Sequence, residues 1–182
     1  MRMRAAAVAS AGAVVLLAAL VFAGRVSADE ARIRITLVTP MGIGATIGTI
    51  RAADTGGGLR LTPLLKGLAP GPHAISIHAN GDCGPAEING TKVAGGAAGG
   101  IFVPTKAEQP GKAPGTDVSA APSLVLTVDK DGIARRAVTA PGLRLEELNG
   151  RAIVIEGGAP SETDKAKAAG EAGVRVACGV IP

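Results

Sequence analysis

The sequence predicts an all-β protein in which antiparallel strands form a sandwich or barrel. Seven or eight short segments alternate apolar and polar residues with period two, which is typical of half-buried strands. Glycine, proline and Asp-Gly turn signals separate these segments. No strand–helix–strand rhythm appears, so a parallel α/β sheet is excluded.

Three strands are predicted in the first part of the chain. Apolar residues alternate with arginine and threonine over residues 31–38, and similar patterns follow at residues 45–52 and 59–65. A turn through Gly56-Gly57-Gly58 separates the last two segments.

Three glycines near residue 45 could suggest a dinucleotide-binding loop. Gly42, Gly44 and Gly48 do not have the spacing of that motif, and β-branched residues follow where its helix would begin. The sequence therefore gives no support for a nucleotide site.

The segment 71–83 is the most informative stretch, because it holds both histidines and one of the two cysteines. Ile75 and Ile77 share one face of the predicted strand, and Ser76 and His78 share the other. Such a strand would turn its apolar face to the core and its polar face to a candidate site.

The middle of the chain predicts a long loop and then a hairpin. Residues 80–122 are rich in glycine, alanine and proline with little periodicity, and loops of this length are commonly functional or disordered. Two alternating segments, 123–128 and 133–140, flank an Asp131-Gly132 turn and predict a β-hairpin.

The last part of the chain predicts a helical turn, two strands and a second long loop. The turn falls at 143–148, and the strands fall at 151–156 and 174–181. The loop between the strands, residues 157–173, contains Ser161, which could cap a short helix.

The N-terminus has the pattern of an export signal. Basic Arg2 and Arg4 precede an apolar run, and Val26-Ser27-Ala28 fits a cleavage site. We therefore predict a signal peptide over 1–28 and one domain over 29–182, in a periplasmic or secreted protein. The alternative is an uncleaved membrane anchor, because the apolar stretch approaches spanning length.

The charge of the mature chain excludes nucleic acid as a partner. Removal of Arg2, Arg4 and Arg25 leaves 16 basic and 15 acidic residues, so the net charge falls from +4 to +1. Phe102 is the only aromatic residue after the signal, so base stacking is also excluded. We expect no stable membrane association once the signal is removed.

Cys83 and Cys178 are an even pair in an exported chain, which predicts a disulfide. The loop between them spans about 95 residues, and its closure is worth on the order of 4 to 5 kcal/mol in the chain-entropy model. Two free buried thiols are the alternative.

Several motifs resemble the bacterial, exported branch of the copper/zinc superoxide dismutases. They lie at residues 61–73, 83–87 and 175–181, and residues 93–100 and 145–158 fit less strictly. The resemblance as a whole covers nearly all of the mature chain. The resemblance implies an eight-stranded antiparallel Greek-key β-barrel with two long loops, in which Cys83 and Cys178 form the family disulfide.

The resemblance also locates the family's metal ligands, and most of the matching positions lack histidine. The copper positions are Ser76, His78, Ile101 and Glu156, so His78 is the one imidazole remaining. The zinc positions fall near Pro110, Asp117 and Ala120. Copper redox chemistry needs several nitrogen ligands in a fixed geometry, which one histidine cannot supply.

The resemblance also implies roles for two further residues. His73 matches a structural histidine that bonds backbone groups. Arg175 matches the arginine that guides the superoxide anion; without copper it could bind another anion or pair with a carboxylate. We predict an ion pair between Arg175 and Glu156, with Ser76 or His78 as an added partner.

These residues support three functional hypotheses. The first is a non-catalytic superoxide-dismutase-like binding or structural module, with no resident cofactor and no catalytic residue. The second is a residual copper-dependent superoxide dismutase, and the third is a protein that handles copper weakly through His78. A Ser76–His78 hydrolase is disfavoured because no oxyanion donors are evident. The sequence leaves open whether the protein forms a homodimer and whether it binds an unidentified protein partner.

Overall fold

A computed structural model describes residues 30–104, 124–157 and 173–182. The predicted signal peptide, the zinc-ligand positions and the helix after Ser161 lie outside these described residues. The strands are β1 (Glu30–Thr39), β2 (Gly42–Thr55), β3 (Gly58–Lys66), β4 (Gly71–His78), β5 (Ala86–Ile88), β6 (Thr91–Val93), β7 (Leu124–Val128), β8 (Ile133–Ala134), β9 (Val138–Ala140), β10 (Ala152–Glu156) and β11 (Arg175–Val180). Short 3-10 helices occupy Gly96–Ala98 and Leu145–Leu148.

Eight antiparallel strands form a nearly closed barrel in the order β7-β4-β10-β11-β1-β2-β3-β8, and β9 also pairs with β3. Asp129 N donates to Ile133 O at 2.9 Å, which ties β7 to β8 through a tight turn. The predicted all-β Greek-key barrel is therefore confirmed. Within the described ranges, no helix has the length and apolar character needed to cross a membrane.

The strands predicted from alternation are all present, with changes at their ends. β2 begins at Gly42 rather than near residue 45, because the turn after β1 is tight and Thr39 already pairs with Gly42. The predicted second arm of the β7 hairpin is interrupted, since β8 and β9 pair with β3 as two separate pieces.

The first half of the predicted long loop contains more structure than its composition indicated. β5 and β6 form a small hairpin whose turn is Asn89-Gly90, with φ of 51° and 78°. Positive φ at both positions is the geometry that Asn-Gly favours in two-residue hairpins. The Asn-Gly dipeptide was the signal for this hairpin, and the prediction of one long loop is wrong at residues 86–93.

The barrel interior is filled by aliphatic side chains from β1–β4 and β7–β11, and the separate β5–β6 hairpin contributes none of them. A second, smaller cluster joins Val38, Ala98 and Val154 to the two cysteines at the outside of the barrel. The disulfide between Cys83 and Cys178 is formed, with 5.6 Å between the Cα atoms. It fixes the segment after β4 against β11, and this segment covers the candidate site.

Candidate functional site

The alternation of β4 places Ser76 and His78 on the outer face of the barrel, as predicted. His78 is nevertheless fully buried, because residues 95–101, which we call the covering segment, lie across it. Ala79 N donates to Gly100 O at 3.0 Å, and His78 forms an isolated antiparallel bridge with Ile101. The imidazole is therefore enclosed between β4 and this covering segment.

Both ring nitrogens of His78 have hydrogen-bond partners. Nδ1 lies 2.8 Å from the carbonyl oxygen of Gly99, and Nε2 lies 2.9 Å from Oγ of Ser76. Since a carbonyl oxygen can only accept, Nδ1 carries the proton and donates to Gly99. Nε2 then accepts from the Ser76 hydroxyl.

The surroundings of His78 favour the neutral ring. The pKa of His78 is lowered from 6.5 to about 4, mainly because the ring is buried away from water; the Gly99 carbonyl acts to raise it and the nearby Arg175 cation acts to lower it. At neutral pH the imidazole is therefore uncharged. A base with this pKa is poorly matched to accept a proton from serine near neutrality, which adds to the case against a hydrolase.

Arg175 lies at the start of β11 and is buried, with 7% of its surface exposed. Its guanidinium donates to Gly95 O at 2.6 Å and to Gly99 O at 3.2 Å. Its Nε has no hydrogen-bond partner within the described residues. Burial lowers the pKa of Arg175 and the Glu156 carboxylate raises it.

The predicted Glu156–Arg175 ion pair is wrong as a direct contact. Among the described residues, the guanidinium bonds backbone carbonyls, while Oε2 of Glu156 accepts from Gly173 N at 3.2 Å. The two residues are neighbours in the β10–β11 register, so the carboxylate acts on Arg175 through space. Arg175 bonds backbone carbonyls rather than the carboxylate because the covering segment brings two carbonyl oxygens within reach of the guanidinium.

His73 lies on the interior face of β4 and is 3% exposed. Its Nδ1 lies 2.8 Å from the carbonyl oxygen of Glu156, and its Nε2 lies 2.7 Å from that of Ala69. The ring thus links β4 to β10 and to the turn before β4, which agrees with the predicted structural role.

A family model described as copper/zinc superoxide dismutase matches residues 46–181. The chain belongs to this family. A relative from Salmonella typhimurium strain LT2, superoxide dismutase [Cu-Zn] 2, is 43% identical over 165 residues, which cover 89% of this chain and 93% of the relative.

Two solved structures of superoxide dismutases agree with this assignment. The copper/zinc enzyme from Brucella abortus has a TM-score of 0.71 at 30% identity. The monomeric copper, zinc enzyme from Salmonella enterica has a TM-score of 0.65 at 39% identity. Each comparison covers 85% of this chain and all of the other.

Among the described residues of this superoxide dismutase family member, the four positions that the resemblance assigns to copper hold Ser76, His78, Ile101 and Glu156. Within the described residues, no group of three or more histidine, cysteine, aspartate or glutamate side chains could hold a metal. Ser76 and His78 lie together, but Nε2 of His78 is already bonded to the serine hydroxyl. Ile101 offers no donor atom, and Glu156 is bonded to Gly173.

Sequence reasoning about this family member missed the backbone groups that build the site. The carbonyl of Gly99 accepts from both His78 and Arg175, and that of Gly95 accepts from Arg175. The residue types in a sequence do not indicate in which direction a backbone carbonyl points. The one available signal was the run of glycines at 95–100, two of which have positive φ.

Proposed function

We propose that this copper/zinc superoxide dismutase family member is an exported, non-catalytic protein that acts as a binding or structural module. The observation that carries the proposal is the 2.9 Å contact between Ser76 Oγ and His78 Nε2. At the position where the family resemblance implies copper, the one remaining imidazole has its lone pair engaged by a hydroxyl.

The geometry at the opposite side of the ring supports the same proposal. Nδ1–H of His78 is held by Gly99 O, so this nitrogen cannot act as a ligand without losing that bond. A metal at Nε2 would have to displace the Ser76 hydroxyl, with Ser76 and Ile101 providing no second nitrogen. The cost of breaking a buried hydrogen bond, about 1 to 3 kcal/mol, would count against copper affinity.

The charge of Arg175 is accounted for by contacts within the chain. Arg175 is a buried cation whose charge lowers the pKa of His78, and Glu156 acts on that arginine through space. The arginine donates to Gly95 O and Gly99 O, which fixes its guanidinium. Its retention therefore has a structural explanation that needs no substrate.

A second function, residual copper-dependent superoxide dismutation, is favoured by the relatives. The Salmonella typhimurium protein that is 43% identical carries the name superoxide dismutase. For this chain the activity would need copper held by His78 together with donors from outside the described residues. Weak copper handling through His78 without turnover would need fewer ligands.

Export is supported by the Cys83–Cys178 disulfide, since disulfides persist in oxidising compartments. We therefore place the protein in the periplasm or outside the cell, with residues 1–28 as its signal.

Metal analysis combined with a direct superoxide decay assay tests the proposal. Protein exported from cells grown with added copper should contain far less than one copper per chain and should leave the superoxide decay unchanged. Stoichiometric copper with a rate constant near the diffusional ceiling of about 10⁸–10⁹ M⁻¹s⁻¹ would contradict it. Stoichiometric copper without turnover would instead support copper handling.

A reversal variant provides the matched control. Ser76→His/Ile101→His/Glu156→His restores imidazole at each changed copper position on an unchanged scaffold. This variant should bind more copper than the parent chain under the same conditions. If parent and variant take up equal copper, the changed residues do not determine metal binding, and the proposal loses its basis.

A further inference from the structure

The outer face of β1, β2 and β3 carries a concentration of positive charge that the function proposed above does not use. Its cationic side chains all point away from the core and are exposed, and we call this set the arginine face: Arg32, Arg34, Arg51, Arg60 and Lys66. Lys66 marks its far end on β3.

The strand register brings these charges close together. Arg32 lies directly opposite Arg51, and like charges in directly opposed positions destabilise a sheet. Arg51 in turn lies opposite Thr62, two residues from Arg60 on the same face. With about 4.8 Å between strands and about 3.4 Å per residue, the four arginine Cα atoms fall within roughly 17 Å.

Little negative charge compensates this face within the described residues. Glu30 accepts from Arg51 at 3.2 Å, and it is the acid that projects among these arginines. The acid on β2, Asp54, accepts instead from the backbone of Leu145 at 3.0 Å. Five cations and one acid therefore share one face of a chain whose predicted mature charge is +1.

We propose that the arginine face docks on an anionic lipid bilayer through the phosphates of its headgroups. The guanidinium group suits phosphate, because its planar donors form paired hydrogen bonds with two oxygens. A sheet face that spreads its cations over three strands matches a planar array of phosphates better than a single small anion. Leu64 is 56% exposed within the face and could contact the acyl boundary.

Charge complementarity favours this occupant over the alternatives. A second copy of the chain would bring the same cations against each other, so the face cannot be self-complementary. The face lies on the outer surface of the barrel, and none of its residues is aromatic, so it offers no stacking surface for bases. The association is electrostatic and salt-reversible, which distinguishes it from the stable membrane association that the sequence does not lead us to expect.

Vesicle co-sedimentation of the exported protein tests the proposal. Equimolar phosphatidylglycerol and phosphatidylcholine vesicles should bind the protein in about 0.01 M salt and release it in about 1 M salt, because screening shortens the range of the interaction. Arg32→Ser/Arg51→Ser should lower the partition coefficient about 25-fold, since each surface cation contributes about 1 kcal/mol, or about fivefold.

A matched control removes two positive charges elsewhere. Lys92→Ser/Lys130→Ser changes the net charge by the same amount on exposed residues outside the arginine face, so it should weaken binding far less. Glu30→Gln should strengthen binding, because it releases Arg51 from its acidic partner. Circular dichroism of each variant shows that the barrel is intact.

Several outcomes would overturn the proposal. Absence of vesicle binding in low salt is one. An equal loss of binding for the two double variants is another, since it would show that binding depends on net charge and not on the arginine face. Equal binding to pure phosphatidylcholine at high salt would assign the contact to the N-terminal apolar segment. Salt-sensitive binding to heparin but not to the vesicles would assign the face to a soluble polyanion instead.

Discussion

The hydroxyl of Ser76 lies 2.9 Å from Nε2 of His78, two residues along the same strand and on the same face. A buried neutral imidazole needs a donor for its free lone pair, and the serine supplies one without introducing charge. The pair is therefore a self-contained polar arrangement beneath the covering segment. It needs no metal to satisfy its hydrogen bonds.

Removing the Ser76 hydroxyl should destabilise the protein. Ser76→Ala leaves Nε2 of the buried His78 without a donor, which we expect to cost about 1 to 3 kcal/mol in the free energy of unfolding. Denaturant unfolding at neutral pH measures this. Ser76→Thr keeps a hydroxyl, so its free energy of unfolding should stay close to that of the parent chain. Equal destabilisation by alanine and threonine would argue against the hydrogen bond.

Acidification should destabilise the fold through His78. Its pKa is about 4 in the folded protein against 6.5 when unfolded, so the unfolded state binds the extra proton. The contribution of His78 is complete above pH 6.5 and decreases as the pH falls towards 4, by about 3 kcal/mol at most.

Comparison with His78→Gln isolates this effect from the carboxylates. Between pH 6.5 and 4 the parent chain should lose more stability than the variant. An NMR titration should place the His78 imidazole well below 6.5, and the variant assigns the signal because the chain has two histidines. A His78 titration near 6.5 would contradict the burial argument.

Much of the fold could be predicted from the sequence, because period-two alternation is a local property. The strands around His78 and Arg175 were placed this way, and the cysteine pair was predicted from the context of export. The direct Glu156–Arg175 contact was predicted wrongly. Choosing the partner of Arg175 required the position of the Gly95 and Gly99 carbonyls, which depends on the path of the covering segment rather than on side-chain chemistry.

Reduction of the disulfide should weaken both the fold and the site. Cys83 and Cys178 are 95 residues apart, so opening the bond frees a long loop in the unfolded chain. The gain in chain entropy should lower the free energy of unfolding by on the order of 4 to 5 kcal/mol. The local effect follows from position, since Cys83 anchors the start of the segment that contains Gly95 and Gly99.

Hydrogen exchange with and without reductant should therefore show faster exchange at Ala79 and Asn80, whose amides donate to Gly100 O and Ala98 O. Amides of β2 and β3, which are remote from the disulfide, serve as the internal control. If exchange changes uniformly across the barrel, the disulfide acts on global stability alone and does not specifically hold the covering segment.

Replacing Gly99 by alanine should disturb the site that its carbonyl holds together. Gly99 has φ of 76°, and a Cβ there would lie 2.8 Å from Nδ2 of Asn80, which donates to Ala97 O. We expect a destabilisation of about 1 to 3 kcal/mol from the backbone strain. Because the same carbonyl accepts from His78 and Arg175, the His78 imidazole signals should shift as well.

Gly100→Ala is the matched control, since a Cβ there meets nothing within 4 Å and its φ is not positive. Equal stability and unchanged His78 signals for both variants would mean that Gly99 does not organise the site.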